Sequence, residues 1–145
     1  MFVKFLDVED DGAYEFIMDP QWAVIAKAIN SLDGDKKTIV CLEGQGEMHM
    51  DIGGGGPLGC IVALTYDKEK FYTLINPAVA GENVELKVGG APRPYPAEML
   101  VPKELALKAA KTFSESGAAE PSLHWRDTAD AVPEQTQRSM TATKA

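Results

Sequence analysis

His49 and Asp51 stand two residues apart in Met48-His49-Met50-Asp51-Ile52, a run that alternates apolar with polar side chains. Period-two alternation is the mark of a strand, so the imidazole and carboxylate share one face while the methionines and Ile52 turn inward. An imidazole beside a carboxylate is raw material for acid–base chemistry or a metal site. The possible companions are His124, Cys41 and Cys60. Both cysteines lie inside apolar runs, Ile39-Val40-Cys41-Leu42 and Cys60-Ile61-Val62-Ala63, where a free thiol packs as a small hydrophobe. Their spacing matches no closed metal site, and Met48-His49-Met50 reads as packing rather than soft-metal binding. No Gly-x-Ser-x-Gly elbow supplies a nucleophile, and the Asp10-Asp11 pair sits in an exposed turn with nothing evident to desolvate it.

Gly53-Gly54-Gly55-Gly56-Pro57 invites a phosphate-loop reading, because bare amides can cradle an anion. Such a loop needs a following Lys-Ser or Lys-Thr and a helix. Leu58-Gly59-Cys60-Ile61-Val62 instead continues as a strand, so the glycines read as a wide turn. No catalytic residue, metal ligand or cofactor is expected. A second tip, Tyr66-Asp67-Lys68-Glu69-Lys70-Phe71-Tyr72, carries charge between aromatic shoulders and reads equally as a binding edge and as an ordinary solvated turn.

The elements that position these residues follow from periodicity. Residues 2–6 and 14–18 are β-prone runs on either side of Asp11-Gly12, and read as a hairpin. Asp19-Pro20 supplies an N-cap and first turn for a helix whose apolar stripe is Trp22, Ile25, Ile29 and Leu32, ending at Asp33-Gly34. Residues 38–43, 47–52, 58–66 and 70–75 form an antiparallel meander, and residues 83–88 add another strand before the proline-rich residues 89–96, expected to be irregular. Pro102 opens a second helix with Leu105, Ala106, Ala109, Ala110 and Phe113 as its inner side and Gly117 as its stop. Leu123-His124-Trp125 reads as a last short strand or packed extension, with Trp125 in the core. The expected fold is α+β: an antiparallel sheet of about five to seven strands packed by two helices, over residues 1–127, with residues 128–145 a flexible tail.

The chain has 145 residues and a net charge of −8. That length suits one domain. The acidic balance opposes direct nucleic-acid binding; it would attract a basic partner, although composition alone favours a plain role in keeping the protein soluble. Acidic residues arrive before any apolar run long enough for a signal peptide, and no later stretch has the length a bilayer needs, so a cytoplasmic protein without membrane contact is expected.

The order of motifs from Asp19 to Asp127 resembles the immunity proteins of bacterial polymorphic toxin systems, specifically the first numbered family. The resemblance is carried by Met48-His49-Met50-Asp51-Ile52-Gly53, Leu58-Gly59, Tyr66-Asp67 before Phe71-Tyr72, and Leu100-Val101-Pro102 with Glu104, Ala106, Ala109 and Phe113. Gly117, Pro121 and Trp125 complete it. It implies an α+β protein that binds and neutralises a cognate toxin, with nucleic-acid deaminases frequent among the toxins. The departures are the four-glycine turn and the long connection at residues 91–99. The expected toxin-binding surface is Gly53, Gly54, Gly55, Gly56 and Pro57 with Asp67 and Glu69, and His49 and Asp51 nearby. Glycines allow close backbone approach, and the carboxylates can meet cations that otherwise hold phosphate. The alternative is a small-ligand-binding or enzymatic domain built on the Gly53–Pro57 turn. Removing residues 128–145 is expected to leave a single cooperative melting transition unchanged; loss of cooperativity would show that the segment is docked.

Overall fold

Asp11 and Gly12 both adopt positive φ, 52° and 85°, the conformation a two-residue hairpin turn of the primed type demands. They join β1 (Phe5–Asp10) to β2 (Ala13–Met18), with Asp10 paired to Ala13. Val8 and Glu9, beyond the run expected at residues 2–6, are strand residues, because Val8 packs on the core and Glu9 is buried with partners of its own. The computed structural model describes residues 1–127, so the expected tail at 128–145 lies outside the described residues.

Helix α1 (Trp22–Asn30) buries Ile25 and Ile29, as its stripe requires. Asp19 does not cap it. Gln21 holds the N-cap position without a side-chain bond, while Asp19 takes φ 49° and donates its backbone N–H to the Lys4 carbonyl at 2.7 Å. The meander follows as β3 (Ile39–Glu43), β4 (His49–Gly54), β5 (Cys60–Thr65) and β6 (Phe71–Ile75). β7 (Val84–Val88) pairs with β8 (Ala91–Tyr95), a segment expected to be irregular. Pro92 and Pro94 sit opposite Lys87 and Glu85, two residues apart, so both ring nitrogens can point away from the partner strand. Helix α2 (Lys103–Ser116) starts after Pro102 and stops at Gly117, whose φ of 76° and N–H bond to the Phe113 carbonyl form a left-handed C-terminal cap. β9 (His124–Asp127) closes the chain's path.

The seven-stranded sheet has the order β2-β1-β3-β4-β5-β6-β9, with every neighbouring pair antiparallel. The fold is α+β. On its inner face Leu6, Val40, Leu42, Met50, Ile52, Val62, Leu64 and Leu74 pack against Ile25, Ile29, Ala106, Ala109, Ala110 and Phe113. Alanines on α2 let the helix lie close to the sheet. Trp125 packs partly buried against this core and donates its indole N–H to the Glu120 carbonyl at 3.1 Å. On the outer face the β7–β8 ribbon seals one end, where Leu86, Tyr95 and Met99 cluster with Ile61. Among the described residues no helix is long and apolar enough to cross a membrane.

Two tertiary ties fix the ribbon end. The buried Glu9 carboxylate accepts the Thr38 N–H and hydroxyl, both at 2.8 Å, and the Gly12 N–H at 3.2 Å, while Gly90 N–H donates to the Thr38 hydroxyl. Burial pushes its pKa up, but the Thr38 and Gly12 donors and nearby Lys87 outweigh it, leaving the pKa lowered. Its contribution is therefore complete above the ordinary glutamate pKa and is lost as pH falls through the lowered one. The second tie is the glycine run. Cβ atoms at Gly54, Gly55 and Gly56 would lie 2.6 Å from Leu86, the Leu32 backbone and the Asp33 carbonyl respectively. Gly55 also has φ 103°. Gly55→Ala is thus expected to lower stability by about 2–4 kcal/mol, read as an earlier denaturant midpoint, since strain and overpacking add.

Candidate functional site

Strand register places the outer-face side chains in two cross-strand rows. One runs Met18, Phe5, Glu43, His49, Thr65, Phe71 across β2, β1, β3, β4, β5 and β6. The next runs Phe16, Asp7, Cys41, Asp51, Ala63, Thr73 and reaches Arg126 on β9. Opposed residues in such rows have Cβ atoms about 5 Å apart, so each side chain touches its neighbours. The surface spans about 25 Å from β2 to β6 at ordinary strand spacing. Carboxylates of Asp7, Glu43 and Asp51 occupy its middle. Aromatic groups flank them, with Phe5 stacked on Phe16 at 5.1 Å on one side and the Phe71 ring 6.3 Å from His49 on the other.

His49 and Asp51 do share this face, with Nε2 3.7 Å from Oδ2. Asp51 also accepts the Cys41 thiol from the neighbouring strand. Burial pushes the Asp51 carboxyl up, while His49 and the thiol pull it partway back. Burial, reinforced by the Asp51 charge, holds the Cys41 thiol well above its ordinary range, so it is protonated and a poor nucleophile. The Asp51 carboxylate faces outward, about one-third exposed, between His49 and the Cys41 thiol. Such groups mark functional surfaces more than structural ones.

The predicted tips separate. Asp67 and Glu69 lie in the β5–β6 turn, at the His49 end of the sheet, because His49 pairs with Thr65. The Asp67 carboxylate accepts the Glu69 and Lys70 N–H groups at 2.8 and 2.9 Å, and so shapes the turn that displays Glu69. The glycine run lies at the opposite end of β4, about 17 Å from His49 by strand rise. Its expected exposure holds at Gly56 and Pro57 only. Gly53, Gly54 and Gly55 are buried, with Val88, Leu86 and Leu32 where side chains would stand. The N–H groups of Gly54 and Gly55 are bonded to the Thr38 and Gly59 carbonyls, so that stretch offers no anion cradle. Among the described residues no three of His, Cys, Asp and Glu group to hold a metal ion.

Sequence reasoning missed Tyr14, Phe16 and Met18, which are 58%, 54% and 67% exposed on one side of β2. Their alternation with Glu15 and Ile17 is the pattern of a core-facing strand, and the signal gives no sign that the apolar side faces outward. Residues 20–127, from the start of α1 through β9, match the immunity protein Imm1 family. The chain belongs to the Imm1 immunity protein family. Within this Imm1 protein the family match begins after the β1–β2 hairpin, and so leaves out every one of those exposed groups. No curated protein and no solved structure gives a significant match. The motifs that carried the resemblance prove to be architectural: Gly53 under Val88, Pro102 ahead of α2, Gly117 at its end, and Trp125 on the core. As an Imm1 protein the chain has a cognate toxin as partner.

Because the raised Asp51 pKa means a charge that weakens the folded state, the penalty is absent below the ordinary aspartate pKa and complete above the raised one. Asp51→Asn is expected to melt higher than the parent at neutral pH, with the gap closing on acidification. A lower melting temperature at neutral pH would show that the charge is structural.

Proposed function

We propose that this Imm1 protein neutralises a toxin that acts on nucleic acid, of the deaminase class, by covering the toxin's substrate groove in the bacterial cytoplasm. One observation carries the reading: carboxylates of Asp7, Glu43 and Asp51, continued by Asp67 and Glu69 at the same end, cluster on the outer face of a chain of net charge −8. An enzyme that works on DNA or RNA presents cations to phosphate, and an acidic surface uses the same field for fast capture. Occlusion is stoichiometric and non-covalent. A deaminase must admit an extruded base to its pocket, so blocking the approach suffices without touching the catalytic zinc. The inhibitor itself needs no cofactor and contacts neither nucleic acid nor membrane. His49, Asp51, Asp67 and Glu69 line the contact, with Gly56 and Pro57 at its far margin.

The test pairs the full chain with the purified toxin domain encoded beside it, reading cytosine or adenine deamination of single-stranded substrate. Inhibition is expected to be complete at equimolar protein. Asp67→Lys combined with Glu69→Lys should slow association about tenfold at low salt and flatten its salt dependence, with dissociation little changed, because rim charges act on encounter. Deamination persisting at excess inhibitor would sink the deaminase reading, and unchanged association in the double variant would move the contact elsewhere.

A further inference from the structure

Among the described residues, three surfaces beyond His49, Asp51, Asp67 and Glu69 bear on what else the chain binds. A polar cleft of about 360 Å³ beside Glu9 is bounded by the turns that Glu9 ties together, so its carboxylate is already satisfied. A groove of about 470 Å³ between α1 and the β1–β2 hairpin is apolar, and nothing around it selects an occupant. The third is the outer side of the hairpin itself, and here the chemistry is specific.

Tyr14, Phe16 and Met18 project from β2, the terminal strand of the sheet, and Phe16 lies nearly parallel to Phe5, their planes 26° apart. Single exposed apolar side chains need no explanation, but three on one strand face beside a stacked ring form a platform. Carboxylates border it directly. Asp7 is the cross-strand partner of Phe16 and Glu43 that of Phe5, so each ring has an acid on the next strand. The rows carry one guanidinium, Arg126, already 3.1 Å from Glu98 at the far edge. A flat aromatic surface with adjacent carboxylates is matched by arginine, whose planar cation stacks on rings and donates in a fork to acids. A second copy of this chain fits poorly, since it would bring another net −8 and a duplicate acidic row to the same face.

We infer that the outer side of the β1–β2 hairpin is the seat of an arginine-bearing cationic segment of the toxin, and that this hairpin sets which toxin is recognised. The inference rests on the toxin-binding role proposed above and adds the anchor. The hairpin lies ahead of residues 20–127, which the family model matches, and its rings and acids are a surface particular enough to discriminate between partners. The carboxylates near His49 and Asp67 attract the toxin; the rings of Phe5, Tyr14 and Phe16 retain it.

The experiment measures binding kinetics of the adjacent-gene toxin domain to the parent chain and to two double variants, with melting temperature as the check on folding. Tyr14→Ala with Phe16→Ala should weaken affinity about thirtyfold or more, chiefly through faster dissociation, as loss of an aromatic hot spot does. Asp7→Asn with Glu43→Gln should slow association and reduce its salt dependence. Should the alanine pair melt early, Phe16→Lys keeps a long stem against Phe5 while repelling a cation, and should weaken binding as much. Toxin that binds the parent and all of these variants alike would overturn the hairpin seat and leave the proposed function standing. Toxin that fails to bind the parent would overturn both. A parent dimer, seen by sedimentation and lost in Phe16→Lys, would assign the face to a second copy and overturn the inference.

Discussion

Backbone meets backbone without side chains between them at the end of β4, and the rest of the architecture is arranged around that crossing. A Cβ at Gly34 would strike the Gly55 carbonyl at 2.7 Å, one at Gly56 the Asp33 carbonyl, and one at Gly59 the Val101 carbonyl at 2.7 Å. The link after α1, the β4–β5 connection and the strand-like segment before α2 are therefore locked at one place. Hydrogen bonds exchanged between Cys60 and Val101, at 2.8 and 2.9 Å, complete the lock. Both helices inherit their positions on the inner face from it, and the β7–β8 ribbon lies on the outer face because Gly53 and Gly54 leave room for Val88 and Leu86.

That arrangement divides the outer face. One end is sealed by the ribbon and by the Glu9–Thr38–Gly90 tie, and its groups serve stability. The other end keeps groups that serve it badly: the Asp51 charge, a thiol drawn onto that charge, and the Phe16 ring, more than half exposed. Folding alone would favour an amide at Asp51 and polar residues on β2. For an Imm1 protein, whose task is to hold a toxin, the same groups are assets, because carboxylates govern encounter and rings govern residence. The aromatic hairpin and the acidic middle belong to one continuous surface, since the register aligns Phe16 with Asp7 and Asp7 with Cys41 and then Asp51.

Local chemistry made much of this legible. Period two in the meander, period 3.6 along Trp22–Leu32 and residues 105–113, the Asp11-Gly12 turn, and Pro102 with Gly117 as the bounds of α2 are all statements about neighbours in the chain, and each element formed. So did the shared face of His49 and Asp51, which needs only strand alternation. The order of motifs was enough to identify the family. What failed depended on contacts between distant residues. Asp19 lost its capping role to the Lys4 carbonyl; the proline-rich residues 91–95 became a strand because β7 offered a partner; and of the glycines judged exposed, Gly53 and Gly54 were buried by the ribbon and Gly55 by Leu32.

The sequence by itself determined most of the secondary structure, the α+β class, the acidic charge and the family, because periodicity, turn chemistry and composition act over a few residues or over the whole chain. Only the tertiary structure decided which side of β2 faces outward, since Tyr14-x-Phe16-x-Met18 has the same alternation whether its apolar side is covered or bare. The helices cover the Leu6 and Ile17 side of the hairpin, and the ribbon reaches only as far as Glu9 and Tyr14, so Phe16 and Met18 stay open beside the acids. Alternation defines two faces, and long-range packing selects the one left for a partner.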